Sequence, residues 1–187
     1  LSLLAVILSF NVVAVAQTSD GRVARAILVD TIGSRSASTK GITREMSAYA
    51  GAPSTASDIE RRAFELTNAE RQATGLRLLQ WDDSLARLAR MHSQDMADEC
   101  YFNHRSPTGE MVDDRANRIG IVRWIGIGEN IAYINGYADP ATMAVEKWMQ
   151  STLHKKNILN GQWQTSAVGV AVAKDGKTYL TQVFLMR

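Results

Sequence analysis

Two β-rich apolar runs lie near the C-terminal end of the sequence, and the first of them contains no polar side chain. The runs are VGVAVA from Val168 and TYLTQVFL from Thr178. Because alternate residues of a strand point to opposite faces, a run without polar positions needs cover on both sides of its sheet. The Asp175-Gly176 pair between the runs is typical of a type I′ turn. The pattern predicts an antiparallel hairpin that is buried between helices.

Four segments before the hairpin have the start signals and apolar periodicity of helices. The first begins at a capping box, Ser57-Asp58-Ile59-Glu60, and the last begins at Asp139-Pro140, an N-cap acid followed by a proline in the first turn. His92 lies on the apolar face of the second segment, so we expect a core or core-edge histidine there. We predict helices over about 57–74, 83–99, 113–119 and 140–156. Helices followed by a hairpin indicate an α/β sandwich.

The first sixteen residues carry no charge and end in the small-x-small sequence Ala14-Val15-Ala16. This ending is typical of a secretory signal peptide, so we expect cleavage after Ala16 and a mature protein that is secreted or periplasmic. A membrane anchor needs about 20 apolar residues. The leader does not reach that length and no later run approaches it, so we predict no membrane span.

Residues 17–56 differ in composition from the rest of the chain. They contain six Ser, five Thr and four Gly, with Tyr49 as their only aromatic residue. Such a segment buries little apolar surface, so we interpret it as a flexible linker. The apolar run at 26–29 is the exception, and it could add a strand or a short helix to the folded part. The predicted organisation is a signal peptide at 1–16, a linker at 17–56 and one globular domain at 57–187.

Charge and cysteine content exclude two classes of protein. The chain has 21 Lys and Arg against 19 Asp and Glu, a net charge of +2, which is too small for the basic footprint of a nucleic-acid-binding domain. Cys100 is the single cysteine, so the chain can form neither an intramolecular disulfide nor a zinc cluster of several thiolates. We therefore expect a domain that is held together by its hydrophobic core. We also expect a monomer.

Four residues have the side chains that a metal or acid–base site requires. His104 follows the second predicted helix, Glu129 lies in the sequence GIGEN, and Glu146 and His154 lie on the fourth predicted helix. The spacing of Glu146 and His154 is slightly more than two turns, which places both on the same side of that helix. Two imidazoles with carboxylates suit a zinc-like divalent ion. The alternative is that each is an ordinary polar residue of the surface or core edge, and spacing does not separate the two.

Two further arrangements are weaker candidates. Cys100 and His104 have the spacing of a shared metal site, but a lone cysteine after a helix is more often an inert thiol. Ser151 precedes His154 by three residues, so a Ser–His nucleophile is conceivable on one helical face. No oxyanion-hole signature accompanies that pair.

Five segments in order resemble the CAP superfamily of cysteine-rich secretory proteins, antigen 5 and plant pathogenesis-related class 1 proteins, especially its bacterial secreted SCP-domain members. The segments are LTNAERQATGLRLLQWDDSLARLARMHSQDM, FNH, GENIA, EKWMQSTLHKKNIL and GVAVAKDGKTYLTQVF. The resemblance covers about residues 59–184. It implies an α/β fold, a three-layer α-β-α sandwich with a central, mostly antiparallel sheet and a large cleft.

The resemblance also implies a function for the four candidate residues. His104, Glu129, Glu146 and His154 match the family's cleft tetrad, in which the two histidines can hold a divalent metal, and Asn130 and Ser151 would support the cleft. A ligand such as a lipid, sterol or peptide would bind there. The animal and plant relatives are rich in cysteine and this chain is not, so their disulfide-dependent extensions and ion-channel functions are not expected.

Three function classes remain after this comparison. A secreted binding module with a metal and a ligand in its cleft ranks first. A metal-dependent hydrolase ranks second, with Glu129 or Glu146 as general base for a metal-bound water. In the third class the tetrad is a buried hydrogen-bond network of a structural or interaction protein.

We predict that the mature, exported protein begins at Gln17, because signal peptidase cleaves after a small-x-small sequence. An intact-mass measurement of protein from the extracytoplasmic fraction of its native cell should show the loss of residues 1–16. Recovery of the uncleaved chain from that fraction would show that the leader is retained.

Overall fold

The computed structural model of the protein describes residues 9–17, 23–31 and 56–187. Its helices are α1 (Ala56–Ala73), α2 (Asp83–Asp98), α3 (Val112–Arg118), α4 (Pro140–Gln150) and α5 (Thr152–Ile158). Its strands are β1 (Ser9–Gln17), β2 (Val23–Thr31), β3 (Gln80–Trp81), β4 (Gly126–Ile134), β5 (Thr165–Val172) and β6 (Thr178–Met186).

The strands form one mixed sheet in the order β2-β1-β4-β6-β5-β3. All neighbours are antiparallel except β3, which pairs parallel to β5 through Gln80 and Trp81. The long ladder between β4 and β6 runs from Gly126 opposite Met186 to Ile134 opposite Thr178. The predicted α/β sandwich with a mostly antiparallel central sheet is confirmed.

Helices cover both faces of the sheet, as the unbroken apolar character of β5 predicted. On one face, Ala167 and Val183 pack with Leu85, Leu88 and other residues of α2 and α3. On the other face, Val168 and Phe184 pack with residues of α1, α4 and α5. Consecutive residues of β5 and β6 thus alternate between two cores. Buried Gln182 donates to the hydroxyl groups of Thr67 and Ser166 on the second face.

Helix α2 lies directly against β5, and Gly169 makes this approach possible. A Cβ atom on Gly169 would lie 2.0 Å from the backbone nitrogen of Arg90 and 2.3 Å from the carbonyl carbon of Ala89. About one turn further along α2, the Ser93 hydroxyl donates to the Gly169 carbonyl at 2.9 Å. The close approach fixes the position of α2, and therefore of His92 on the same helix.

A buried arginine fixes the C-terminal end of α5. Arg71 of α1 is fully buried and donates to the carbonyl oxygens of Arg77, Ile158 and Asn160 at 2.7–3.0 Å. These carbonyls satisfy most of the guanidinium in a place where a bare charge would be costly. Because α5 carries His154 and Asn157, this contact also positions one side of the candidate site.

The predicted fourth helix is wrong in one respect, because it is two helices. Ser151 has extended backbone angles (φ −89°, ψ 123°) and separates α4 from α5. The chain therefore changes direction between Glu146 and His154. The expectation that their spacing places both on the same side of one helix is also wrong, since it required an unbroken helix.

Two other local predictions differ from the structure. The β5–β6 connection is not a two-residue type I′ turn, because Val172 pairs with Thr178 and only Gly176 in the loop has positive φ. Instead Gly176 donates to the Ala173 carbonyl and Ala173 donates to the Lys177 carbonyl, a longer loop that ends in a left-handed glycine. Strand β4 was not predicted, since Glu129 and Asn130 interrupt its apolar pattern.

The N-terminal strands fall on the predicted leader and linker. β1 pairs with β4 from Val13 opposite Glu129 to Ala16 opposite Gly126, and β2 pairs with β1 along its length. The run at 26–29, which we singled out as a possible strand, lies within β2. Other residues of 1–55 lie outside the described residues, and the division into leader, linker and domain stays a prediction. Within the described parts of the chain, no helix has the length and apolarity needed to cross a bilayer.

We predict that Gly169→Ala destabilises the fold by about 3 kcal/mol or more, because the new methyl group overlaps the backbone of α2 and the helix must move. The free energy of unfolding in urea measures the effect. Gly161→Ala is the matched control, since its Cβ would meet only the Leu76 side chain, at 3.4 Å, and should change stability little. Equal stability of the Gly169 variant and the wild type would mean that α2 does not lie this close to β5.

Candidate functional site

Strand β4 carries the centre of the site. Glu129 and Asn130 are consecutive and both are fully buried, so their side chains point to opposite faces of the strand. Glu129 faces α2 and α3, where it contacts His104 and Arg115. Asn130 faces α5, where its side chain contacts the backbone of His154. The strand thus joins two polar clusters, one on each face.

The first cluster is a buried ion-pair network around the Glu129 carboxylate. His104 Nδ1 lies 2.7 Å from Glu129 Oε1, and Arg115 Nη2 lies 2.7 Å from Glu129 Oε2. Arg115 is 3% exposed at its side chain, and its Nη1 also donates to the carbonyl oxygens of His104 and Glu110. One arginine therefore holds both the carboxylate and the backbone of the histidine that bonds to it.

These partners keep Glu129 ionised. Burial by itself would raise the pKa of the carboxyl group, but the attraction of Arg115, together with His92 and His104, outweighs burial and holds the pKa well below its usual range. Both oxygens are engaged, one by each neighbour. Glu129 is therefore an anion in a fixed place with no free oxygen directed at a substrate.

The hydrogen bond to Glu129 determines the tautomer of neutral His104. An ionised carboxylate only accepts hydrogen bonds, so Nδ1 of His104 carries the proton and donates it. Nε2 is then the basic nitrogen. It is buried and has no hydrogen-bond partner within the described residues. A carboxylate behind an imidazole in this way orients the ring and raises the basicity of the other nitrogen, as in many zinc sites.

A third histidine reaches the same carboxylate from α2. His92 is buried, as predicted, and its Nε2 lies 3.8 Å from Glu129 Oε1. Burial lowers the pKa of His92 to about 4, although Glu129 opposes the shift. Tyr101 connects the ring to the surface, since its hydroxyl lies 3.4 Å from His92 Nδ1 and donates to Asp95 at 2.5 Å. The sequence analysis placed His92 in the core without connecting it to the site.

The second cluster holds His154 and lies on the other face of β4. His154 is 1% exposed, and its Nδ1 shares a hydrogen bond of 2.8 Å with the Ser151 hydroxyl. Asn130 donates to the His154 carbonyl, and Asn157 donates to both the Glu129 carbonyl and the Asn130 side chain. Ser151 therefore fixes the ring of His154, while the two asparagines tie α5 to β4.

Glu146 does not join either cluster. Its side chain is exposed on α4, whereas His104, Glu129 and His154 are buried. Cys100 is exposed as well. Among the described residues, no group of three or more His, Cys, Asp or Glu side chains is arranged to hold a metal ion. The structure thus joins His104 to Glu129 by direct contact, and it links His154 to that pair through Asn130.

The sequence analysis missed Arg115, which is as central to the site as Glu129. Arg115 lies on the buried stripe of α3 with Val112 and Ala116, at the spacing of one helical face. A basic residue on an apolar stripe requires a buried acid partner, and Glu129 is the buried acid in GIGEN. This signal was available in the sequence, whereas Asn157, one turn beyond His154, had no distinguishing pattern.

The CAP profile, described as the cysteine-rich secretory protein family, matches residues 64–184. The chain belongs to this family. The match contains the whole of both clusters, from His92 on α2 to Asn157 on α5.

Relatives in bacteria agree with this assignment. YkwD of Bacillus subtilis (strain 168), an uncharacterized protein, is 43% identical over 134 residues, which are 72% of this chain and 49% of YkwD. An extracellular SCP-domain protein of Bacillus anthracis has a solved structure with 37% identity and a TM-score of 0.60, over 70% of this chain and 41% of that one. An outer surface protein of Borrelia burgdorferi shares the fold, with a TM-score of 0.64 at 16% identity over 74% of this chain and 99% of that one. The chain thus spans about half the length of the first two relatives.

We predict that Arg115→Met destabilises the protein by about 3–5 kcal/mol, because it leaves the Glu129 carboxylate buried without its cation. Adding Glu129→Gln should restore part of the loss, since the uncompensated charge disappears. Urea unfolding of the wild type, both single variants and the double variant measures this coupling. Arg118→Met is the control. It breaks an exposed ion pair with Glu110 and should cost at most about 1 kcal/mol. Additive single effects would contradict a direct Glu129–Arg115 pair.

Proposed function

We propose that this chain is an extracytoplasmic CAP-domain binding module in which His104 and His154 bind a divalent transition-metal ion through their Nε2 atoms. A small hydrophobic or peptide ligand would bind beside the ion. The observation that carries the proposal is the His104–Glu129 contact of 2.7 Å, which leaves a buried and basic Nε2 with no partner among the described residues.

His154 supports the proposal from the opposite face of β4. Its Nδ1 is engaged by Ser151, so Nε2 is again the nitrogen directed away from the supporting hydrogen bond. Each imidazole thus has an outer partner that fixes its orientation, which is the arrangement that metal-ligating histidines usually have. The donor set suits a zinc-like ion with two nitrogens from the protein and water or ligand in the remaining positions. Such an ion would supply Lewis acidity and a fixed positive charge.

His104 and His154 belong to clusters on opposite faces of β4, so an ion bound by both would have to lie at the edge of that strand. In the described sheet β1 pairs with β4 at this edge, including the position of Glu129. Cleavage after Ala16, as predicted, would remove all of β1 except Gln17. We therefore infer that maturation opens the metal site, and the test uses the chain that begins at Gln17.

A binding role is favoured over hydrolysis by the state of the two candidate bases. Glu129 is bonded through both oxygens, and its pKa lies well below its usual range because Arg115 and the histidines outweigh the effect of burial, so it is a poor proton acceptor. Glu146 is exposed on α4, whereas His104, Glu129 and His154 are buried. Hydrolysis by a metal-bound water with a glutamate base is the second candidate, and it ranks lower because neither glutamate is placed to act as that base.

An extracytoplasmic location agrees with the leader sequence and with the Bacillus anthracis relative, which is described as extracellular. Cys100 is an exposed free cysteine, so the fold does not need an oxidising compartment to form a disulfide.

We predict that the chain from Gln17 binds Zn²⁺ and that His104→Ala and His154→Ala each weaken binding at least tenfold, because each removes one ligand. Isothermal titration at pH 7.5 measures the affinity. Binding should weaken as the pH falls toward 5, since protons compete for the imidazole nitrogens.

Two controls keep this test specific. Cys100→Ser removes the exposed thiol and should leave the affinity unchanged. Glu146→Gln should also have no effect, because the Glu146 side chain is exposed on α4. Wild-type affinity in both histidine variants would overturn the metal proposal. Loss of Zn²⁺ affinity in Glu146→Gln would show that Glu146 contributes to the metal site.

A further inference from the structure

Strand β4 has two neighbours in the described sheet, β6 on one side and β1 on the other. The ladder with β6 extends along the whole of β4. The ladder with β1 is short and joins residues 13–16 to residues 126–129. Cleavage after Ala16, as predicted, removes every β1 residue of that ladder. The mature chain therefore keeps β4 paired on one side and loses its partner on the other.

The edge that β1 leaves on β4 is held rigidly in place. Besides the β6 ladder, Ile127 packs into the core formed with α2 and α3, and Asn130 hydrogen-bonds to α5. The backbone N–H and C=O groups of residues 126–129 that face β1 point away from β6, since a strand directs these groups to both of its sides. A second strand that adds to such an edge meets a preformed partner, so β4 loses little conformational entropy on binding.

The β4 edge also lacks the features that usually protect an exposed strand. Proteins protect such edges with proline, lysine, unpaired charges or β-bulges. The β4 sequence GIGENIAYI contains neither proline nor lysine, and its register with β6 has no bulge. Its one charged side chain, Glu129, is paired with Arg115 inside the protein, so its charge does not repel an added strand. The edge is therefore open to pairing with another extended segment.

Gly128 adds an apolar contact to this edge. Its missing side chain leaves room for the Trp163 ring, since a Cβ atom on Gly128 would lie 3.0 Å from that ring. In an antiparallel pair the residue opposite Gly128 lies on the same face, with its Cβ atom about 5 Å from the corresponding position on β4. An apolar side chain at that position is within reach of Trp163. Ala14 occupies the position in β1.

We propose that the β4 edge of the mature chain binds an extended apolar peptide segment by strand addition, antiparallel to β4 and opposite residues 126–129. The pairing of β1 supports this geometry, because β1 is an extended apolar segment that lies in this register. Main-chain hydrogen bonds would supply affinity, and the position opposite Gly128 would supply selectivity. The proposal rests on the proposed function for the peptide as ligand and for cleavage after Ala16, but it does not require the metal ion.

The test uses the peptide SFNVVAVAQ, the sequence of β1, with a lysine pair added at its C-terminal end for solubility. The peptide is titrated in EDTA into the ¹⁵N-labelled chain that begins at Gln17, and binding is followed by NMR. The amide signals of residues 126–129 should shift, and their hydrogen exchange should slow. The amides of β3, at the opposite edge of the sheet, should not respond.

Two matched controls make this test specific. A peptide with Val13→Pro/Ala14→Pro should bind at least tenfold more weakly. Adjacent residues of a strand donate to opposite sides, so one of the two lost N–H groups faces β4. The uncleaved chain should not bind the peptide, because its own β1 occupies the edge.

Three results would overturn the proposal. Equal affinity of the proline peptide would show that β4 does not bind the peptide main chain, and equal binding by the uncleaved chain would place the peptide elsewhere. Slow exchange at 126–129 in the mature chain without peptide, and no response to the peptide, would show that another segment such as β2 takes the edge. Because EDTA is present, these results are independent of Zn²⁺ affinity, so failure of this site and failure of the metal proposal are distinguishable.

Discussion

The buried pair of Glu129 and Arg115 is the interaction on which the rest of the site depends. A carboxylate with no exposure to water is stable only with a cation and hydrogen-bond donors around it, and Arg115 and His104 provide them at 2.7 Å each. The same arginine holds the backbone of His104. The anion in turn directs the proton of His104 to Nδ1 and leaves Nε2 as the basic atom. The charge of Glu129, the tautomer of His104 and the position of the loop that carries His104 therefore depend on one another.

The fold supplies this arrangement by close packing rather than by cross-links. Gly169 lets α2 approach β5, which brings His92 within 3.8 Å of Glu129, and Arg71 fixes the end of α5, which carries His154. The family name refers to cysteines, yet this chain has only Cys100, which is exposed. Two apolar cores lie on the two faces of the sheet, with Trp124 in one and Trp148 in the other. They stabilise this fold, whereas small secreted domains are often stabilised by disulfides.

Sequence reasoning recovered those features that depend on local pattern. The helices, the β5–β6 hairpin and the burial of His92 follow from apolar periodicity and end signals, and the ordered motifs identified the family and the sandwich. It failed where tertiary contacts override the pattern. No proline or glycine lies at Ser151 to indicate that the helix ends there. Strand β4 contains two buried polar residues, so its sequence lacks the apolar alternation of a strand. Glu146 was included by the family resemblance and by its spacing from His154, and that spacing had meaning only on an unbroken helix. Arg115 was overlooked although its place on an apolar helical stripe required a buried acid.

The tautomer of His104 is the most direct measure of this account. Two-bond ¹H–¹⁵N NMR correlation of the histidine rings distinguishes a protonated Nδ1 from a protonated Nε2 in the metal-free protein. At a pH where the ring is neutral, the account predicts that His104 is protonated at Nδ1, because that proton is donated to ionised Glu129. It also predicts that Glu129→Gln shifts this preference, since an amide can donate as well as accept. A His104 ring protonated at Nε2 in the wild type would contradict the central claim.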